Sequence, residues 1–520
     1  MLLQISALLV VCVLGLIYHL FKVNFSFWKK YRNVPSVRGQ IFCSNLKDII
    51  LFRTNFGFAL REVYEDPKFA NSSVVGVYGL YKPSLLIRDP ELIKSILIKD
   101  FDRFCNRYSK PDVHTDPIAA KSIFFGDYKL WKEMRSKFSP MFSSGKLKAM
   151  FPLLMNVGAN MSDHMARQGQ VFCMEVKDVC ARFTTDVIAT TIFGFSSDSL
   201  KNPVEKMHIE IRKLGFFDLR RALQVVIIFF APKLVRLFGA KLFEKNCEEY
   251  LVASLQQIIQ EREEGGRIRN DLIDIIIKLK QEAFFEGPKD LASFMETMYS
   301  QAIVFLAAGY ETSATTMSFA LFELAKQPEV QEKLRKEILG AFKDTSGELS
   351  YESFNSMEYL EMIVNETLRM YPPVPILERK HGKAEEGISQ PYSLMPYCDY
   401  ALPEGMPIYI PIFGLHYDEK YWPNPWQFRP ERFSSDNKNS INPMTYLPFG
   451  NGPHNCVGNR LGLMQTKCGL MHILKNHKVR MGYRTMKQLD FDPKAFVLQL
   501  KGGMNLEFVR DDMCDNELLE

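Results

Sequence analysis

The sequence predicts one large globular body, built on long helices and preceded by an apolar segment, and three observations carry that reading. Its 520 residues are 47% hydrophobic and 12% aromatic, enough to bury a large core and far from disordered or fibrous compositions. Between residues 35 and 510 there is no Pro/Gly/Ser linker, low-complexity run or repeat, so the length reads as one continuous body rather than a string of domains. The third is a helical pattern begun near Asp290 and stopped by Pro328, apolar on most sides and therefore expected to run through the core. A formal charge of +5 is mild over this length and gives no sign of nucleic-acid binding.

The N-terminal "MLLQISALLVVCVLGLIYHLF" is long enough, at roughly 30 Å as a helix, to cross a bilayer. No basic residue precedes it, no small-residue cleavage site follows it, and Lys22, Lys29, Lys30 and Arg32 lie just after it. An uncleaved anchor over residues 1–22 is therefore expected in preference to a cleaved signal peptide. The positive-inside bias then leaves the remainder in the cytoplasm. The ten cysteines agree, forming no C-x-x-C pair and no disulfide-framework spacing.

Further along, residues 223–239, "LQVVIIFFAPKLVRLFG", are apolar enough either to dip into a membrane or to pack inside. In the long helix, the Thr312 hydroxyl can bond back to the Ala308 carbonyl, and Gly309 lets the ladder open, so a bend is expected. An opened turn can take a small ligand, although the same pentapeptide also reads as core helix with an incidental glycine. Glu366 and Arg369 are three apart on a helix that Tyr371-Pro372-Pro373 ends. With a third partner from residues 428–433, "FRPERF", they would fix a core. Near the C-terminus, "FGNGPHNCVGNR" sets Cys456 in a nest of glycines directly ahead of the helix-like "NRLGLMQTKCGL". It reads as a structural cysteine on a turn or as a prepared thiolate.

In order, Trp131-Lys132-Glu133-Met134-Arg135, Ala308-Gly309-Tyr310-Glu311-Thr312, Glu366-x-x-Arg369, Phe428-Arg429-Pro430-Glu431-Arg432-Phe433 and Phe449-x-x-Gly452-x-His454-x-Cys456-x-Gly458 closely resemble the motifs of the cytochrome P450 superfamily. The resemblance covers essentially the whole chain, including the membrane anchor of microsomal members. "SKFSPMFSSGKLKAMF" and "AAGYETSATTMS" are similar to the insect microsomal branch associated with detoxification. The fold implied is mainly α, with a small β-rich region and haem b (iron protoporphyrin IX) between the long helix and the cysteine loop. Residues 1–22 would be the anchor, 23–40 a linker, 41–510 the catalytic domain and 511–520 a tail.

The resemblance makes Cys456 the axial ligand of the haem iron, where a thiolate favours O–O cleavage. Backbone N–H groups after Cys456, at the start of the next helix, would stabilise its charge. Gly450, Gly452 and Gly458 would permit the turns and the close approach of the porphyrin, with Phe449 and Ala308 also against it. Trp131, Arg135 and Arg379 would face the haem propionates. His454 stands where the family usually has arginine; being shorter and titrating near neutrality, it implies a weaker hold on haem. Thr312, with Glu311, would hold a water and pass protons during O–O cleavage. Glu366, Arg369 and Arg432 would be structural, and Phe124, Phe125, Phe216, Phe217, Phe305 and Val374 are candidate liners of an apolar substrate pocket.

The activity implied is insertion of one oxygen atom from O2 into a lipophilic small molecule, a xenobiotic or an endogenous lipid or hormone. Electrons would come from NADPH through a separate flavoprotein reductase, with cytochrome b5 as a further partner, at the endoplasmic reticulum membrane with the catalytic domain on its cytoplasmic side. Lys132, Lys137, Lys146 and Lys148 form either part of the reductase-docking face or a solvated surface. A haem-thiolate isomerase or dehydratase would have no need of the Glu311-Thr312 pair, and a non-catalytic haem- or lipid-binding membrane protein none of an intact ligand set; both are the alternatives. One departure from the family is the proline-rich hinge after the anchor, reduced here to Pro35.

Overall fold

Side-chain caps open half of the longer helices. The structure, a computed structural model, describes residues 25–37 and 47–511 apart from 203, 267, 287–289, 346, 384–389 and 487, together with 15, 22 and 23. The first half holds α1 (Phe56–Glu65), α2 (Tyr128–Phe138), α3 (Ser144–Ala166), α4 (Val176–Ile188), α5 (Lys206–Gly215) and α6 (Leu219–Phe230). The second holds α7 (Lys245–Gly265), α8 (Leu272–Glu286), α9 (Leu291–Lys326), α10 (Pro328–Asp344), α11 (Glu358–Met370) and α12 (Asn459–Asn476). Asn55, Asp127, Glu175, Glu205, Asp218 and Asp290 each accept a first-turn N–H of the helix that follows them. The chain is mostly helical, as expected.

The long apolar pattern is α9, capped by Asp290 and ended before Pro328, and most of its second half is buried. It runs through the core between α4 and α12. Gly469 of α12 makes that crossing close: a Cβ there would lie 2.2 Å from Met317 Sδ of α9 and 3.0 Å from the Phe183 ring of α4, so only glycine fits. Gln465 of α12 then donates to the Gly309 carbonyl at 2.9 Å and to Ser313 Oγ at 2.6 Å. These bonds fix the start of α12, and hence the segment just before it, opposite the middle of α9.

The β structure is small. β1 (Val74–Gly79), β2 (Lys82–Ile87), β4 (Ile376–Lys380) and β7 (Pro407–Pro411) form a sheet of order β1-β2-β7-β4, in which β2 and β7 alone are parallel. β3 (Val171–Glu175), β8 (His477–Arg480) and β9 (Asn505–Arg510) form a second, of order β3-β9-β8. β5 (Tyr392–Ser393) pairs with β6 (Ala401–Leu402).

The expected anchor falls almost wholly outside the described residues, as do residues 512–520 of the tail. Among the described residues, α9 is the helix long and apolar enough to cross a membrane, and it is the core of the body. The expected linker, 23–40, does not run free over residues 25–37. Phe25, Trp28 and Val34 are buried, Trp28 Nε1 donates to the Val77 carbonyl at 3.0 Å, and Gly76 and Val37 exchange backbone bonds that include the Pro35 carbonyl. The aromatic side chains of "FSFW" bury against β1, and that fixes the segment. The 223–239 stretch divides by face: Ile228, Phe229, Phe230 and Val235 are buried, while Leu223, Leu237 and Phe238 are exposed.

Candidate functional site

Two short sequence stretches lie on either side of the place where α12 docks on α9 through Gln465. The cysteine loop turns sharply because Gly450 and Gly452 hold φ of +67° and +71°, a left-handed conformation that glycine adopts at no steric penalty. Gly452 is also wedged against the Leu97 carbonyl, 2.0 Å from where its Cβ would stand. Gly450 N–H donates to Leu447 O and Cys456 N–H to Phe449 O, at 3.0 and 2.8 Å, so the loop closes on itself at Phe449. Gly458 differs from the expectation: its φ of −93° is ordinary, and a Cβ would meet only Phe142 at 3.7 Å. The chain itself would accept a side chain there.

Cys456 alone among the described cysteines is exposed, yet protein encloses it so closely that burial pushes its thiol up from the ordinary value. The Gly458 N–H and the Arg135 charge pull the other way. A group both accessible and surrounded lines an internal cleft. Ala308 has the same character, exposed in the middle of a core helix. The Thr312 hydroxyl donates to the Ala308 carbonyl at 2.7 Å, the back-bond the sequence suggests, and α9 continues through it unbroken. Glu311 is buried and its carboxylate reaches Lys177 of α4 at 2.7 Å; the same ammonium donates to Thr315.

Around the loop, Arg135 donates to the backbone and side-chain oxygens of Asn455 at 2.8 and 2.6 Å, tying α2 to the residue before Cys456. The Trp131 ring lies 4.1 Å, centroid to centroid, from the His454 ring, and the Phe101 ring packs on both, at 5.5 and 5.1 Å. His454 Nε2 donates to the Cys105 carbonyl at 2.6 Å. Burial, and then the charges of Arg379, Arg107 and Arg135, hold its pKa down to about 2. The ring is thus neutral at physiological pH, where the residue type alone suggests titration near 6.5. Arg379 on β4 is buried, its Nη1 on the Glu378 carbonyl at 2.7 Å and its Nε without a partner. Burial first, and then Arg107, lower its pKa to about 9.

Beside this region, α11 carries a fully buried ion cluster. Arg369 grips both Glu366 oxygens at 2.8 Å and the carbonyls of His416 and Pro425, while Arg432 meets Glu366 Oε1 at 3.3 Å and caps Pro423 O and Asn424 O. No part of it touches the cleft residues named above. The candidate pocket phenylalanines scatter. Phe124 and Phe125 pack edge to face, Phe125 also meets Phe229, and Val374 is half-buried. Phe305 packs on Phe138 and Phe142, and Phe217 is buried beneath Arg221. Phe216 departs from the expectation: at the C-cap of α5 its extended backbone leaves its own ring 66% exposed, while the next ring, Phe217, is buried.

Three partners of this site lie in no motif: Arg107, Cys105 and Lys177. Lys177 is 134 residues from Glu311, and Cys105 is 349 from His454. No local pattern signals such pairs.

The sequence profile of the Cytochrome P450 family matches residues 52–506. "Probable cytochrome P450 6g2" of Drosophila melanogaster is 39% identical, covering 97% of this chain and 98% of its own length. "Probable cytochrome P450 6w1" of the same species is 40% identical over 92% of each, and "Cytochrome P450 6k1" of Blattella germanica 35% identical over 95% of this chain and 94% of its own. With α12, which follows the cysteine loop, bonded through Gln465 to Gly309 and Ser313 of α9, these full-length matches settle the assignment: the chain belongs to the cytochrome P450 family and is a haem-thiolate monooxygenase.

Proposed function

We propose that this enzyme inserts one oxygen atom from O2 into a lipophilic small molecule at the cleft between α9 and the cysteine loop, with Cys456 as the thiolate ligand of haem b. The carrying observation is the sulfur of Cys456, accessible although deep in the protein, under the Gly458 N–H and within reach of the Arg135 charge. The chain fits the cofactor on a second count. Arg379 is a buried cation with an unpaired Nε and no ion-pair partner among the described residues, which suits a haem carboxylate. When bound, the haem supplies oxygen activation, and its thiolate ligation favours O–O cleavage.

The protein's own groups do the rest. Trp131, Arg135 and Arg379 orient the propionates, and His454 contributes a neutral, fixed ring rather than a charge. Gly458 leaves room for the porphyrin, since nothing in the chain itself requires a glycine there. Phe449 and Ala308 border the cleft. Thr312 holds a water, and Glu311, anchored on the partly exposed Lys177, exchanges protons with it. Glu366, Arg369 and Arg432 fix the core behind the loop. Phe124, Phe125, Phe217, Phe305 and Val374 shape the apolar side of the pocket, with Phe216 at its outer rim.

Electrons come from NADPH through a flavoprotein reductase, with cytochrome b5 as an accessory donor. Of the four candidate docking lysines, Lys137 pairs with Glu133 and Lys148 with Glu352, whereas Lys132 and Lys146 have no ion-pair partner among the described residues. Lys132 and Lys146 are therefore the ones offered to an acidic partner. Residues 1–22 anchor the domain of residues 41–510 to the endoplasmic reticulum membrane, on its cytoplasmic side. The test is the spectrum of the reduced protein under carbon monoxide: the wild type gives the thiolate signature and Cys456→Ser loses it. A wild type that takes up no haem, or a Cys456→Ser protein with an unchanged spectrum, overturns the assignment.

A further inference from the structure

Three successive carbonyls in the middle of α9 each accept a side-chain donor, and each donor stands on a different helix. Thr312 of α9 itself bonds the Ala308 carbonyl at 2.7 Å, Gln465 of α12 the Gly309 carbonyl at 2.9 Å, and Thr184 of α4 the Tyr310 carbonyl at 3.0 Å. A helical carbonyl already serves the N–H four residues on, and its second lone pair is what such a donor takes. The turn that carries Glu311 and Thr312 is thus gripped from both neighbouring helices. Thr184 divides its one proton with the Ala181 carbonyl of its own helix, at 3.1 Å, so its grip is the weaker. Gln465 gives both of its N–H groups, the second reaching Ser313 Oγ at 2.6 Å.

The amide makes these bonds at a cost. Gln465 is fully buried, and its Oε1 has no partner among the described residues, which is unfavourable for a polar atom out of water. Turning the amide over would not relieve it, since Oε1 would then face the Gly309 carbonyl, which can only accept. An apolar side chain of the same size would meet the needs of packing without that cost. What the amide adds is a hold on α9 from the helix that begins, at Asn459, directly after the cysteine loop. We propose that Gln465 is a positioning residue for oxygen activation: it fixes the Ala308–Thr312 turn relative to the cysteine loop, with Thr184 as the counter-grip from α4. It acts through the Gly309 carbonyl and Ser313, not on the reacting atoms. The inference rests on the haem-thiolate function proposed above.

The infrared C–O stretch of the reduced carbon-monoxide complex tests the assignment, because carbon monoxide in the cleft senses the dipoles of the turn beside it. Gln465→Met keeps the volume and removes both donors, Thr184→Val removes the opposite hydroxyl, and Leu470→Ala takes buried volume from α12 but no hydrogen bond. Gln465→Met keeps the visible thiolate signature and shifts or splits the C–O band. Amide hydrogen exchange of residues 309–316 speeds by about fivefold with it, as loss of one hydrogen bond implies. Thr184→Val changes the band less, and Leu470→Ala lowers the melting temperature while leaving the band in place. An unchanged band in Gln465→Met overturns the inference, whatever its exchange rate. So does a band that moves as far in Leu470→Ala, which would make Gln465 a packing residue. Should Gln465→Met take up no haem, Thr184→Val carries the test, and an unchanged band there overturns the clamp. A wild type whose reduced carbon-monoxide complex lacks the thiolate signature fails at the earlier step, on the function itself.

Discussion

Thr312 commits its only hydroxyl proton to the Ala308 carbonyl, so towards the cleft it offers a lone pair, and a water held there must donate to it. In the function proposed above that water would relay the protons, since Glu311 is held by Lys177. Thr312→Ala removes the acceptor while leaving the helix and Cys456 intact. It is expected to keep its haem spectrum and substrate binding but to lose product formed per NADPH by about tenfold or more, with hydrogen peroxide rising to match. Thr312→Ser, which keeps the hydroxyl, should stay near the wild type. Unchanged coupling in Thr312→Ala would remove the residue from proton delivery. His454 teaches a different lesson at the same scale. Its type suggests a titrating ring; burial first, and then the charges of Arg379, Arg107 and Arg135, all remote in sequence, make it neutral against the opposing pull of the Cys105 carbonyl.

At the scale of elements, α6 and the turns after it present two faces: Ile228, Phe229 and Phe230 enter the core, while Leu219, Leu223, Leu237 and Phe238 face outward. An exposed apolar cluster of this kind favours a lipid surface. Removing residues 1–22 should therefore leave a haem protein that still partly sediments with membranes. Leu237→Ser together with Phe238→Ser should release most of that remainder. Complete release of the truncated protein into a low-salt supernatant would exclude the second contact. Which elements were legible follows from how local their signals are. α9 announces itself by an apolar pattern, a capping Asp290 and a stopping Pro328; α11 and its Glu366-Arg369 pair by three-residue spacing; the cysteine loop by its glycines. The burial of Trp28 against β1, the pairing of Asn106 with Lys380 and the Lys177–Glu311 bond were not legible, since each joins segments whose neighbourhood only the folded chain defines.

Across the whole molecule, buried histidines make stability depend on pH. His416 is fully buried, its Nδ1–H donating to the Arg369 carbonyl and its Nε2 accepting the Leu447 N–H, both at 2.9 Å. Burial holds its pKa down to about 3, and those of His208 and His472 to about 4. All three lie below the unfolded value near 6.5, so between those limits the unfolded chain binds more protons than the folded one, and stability falls as pH falls. Each contribution is complete above about pH 6.5 and is lost at up to about 1.4 kcal/mol per pH unit below it. Asp116, Asp186 and Glu378, whose carboxyls burial pushes up, oppose this trend. The histidines prevail in the upper window, where ordinary carboxylates are still ionised. The melting temperature of the holoenzyme should hold steady from pH 8 to 7 and drop from pH 6.5 to 5. Since Leu447 leads into the cysteine loop, the thiolate spectrum should decline over the same interval. His416→Asn should start less stable at pH 7 and lose less on acidification. A melting temperature that stays level between pH 7 and 5 would show that these rings do not carry the acid sensitivity.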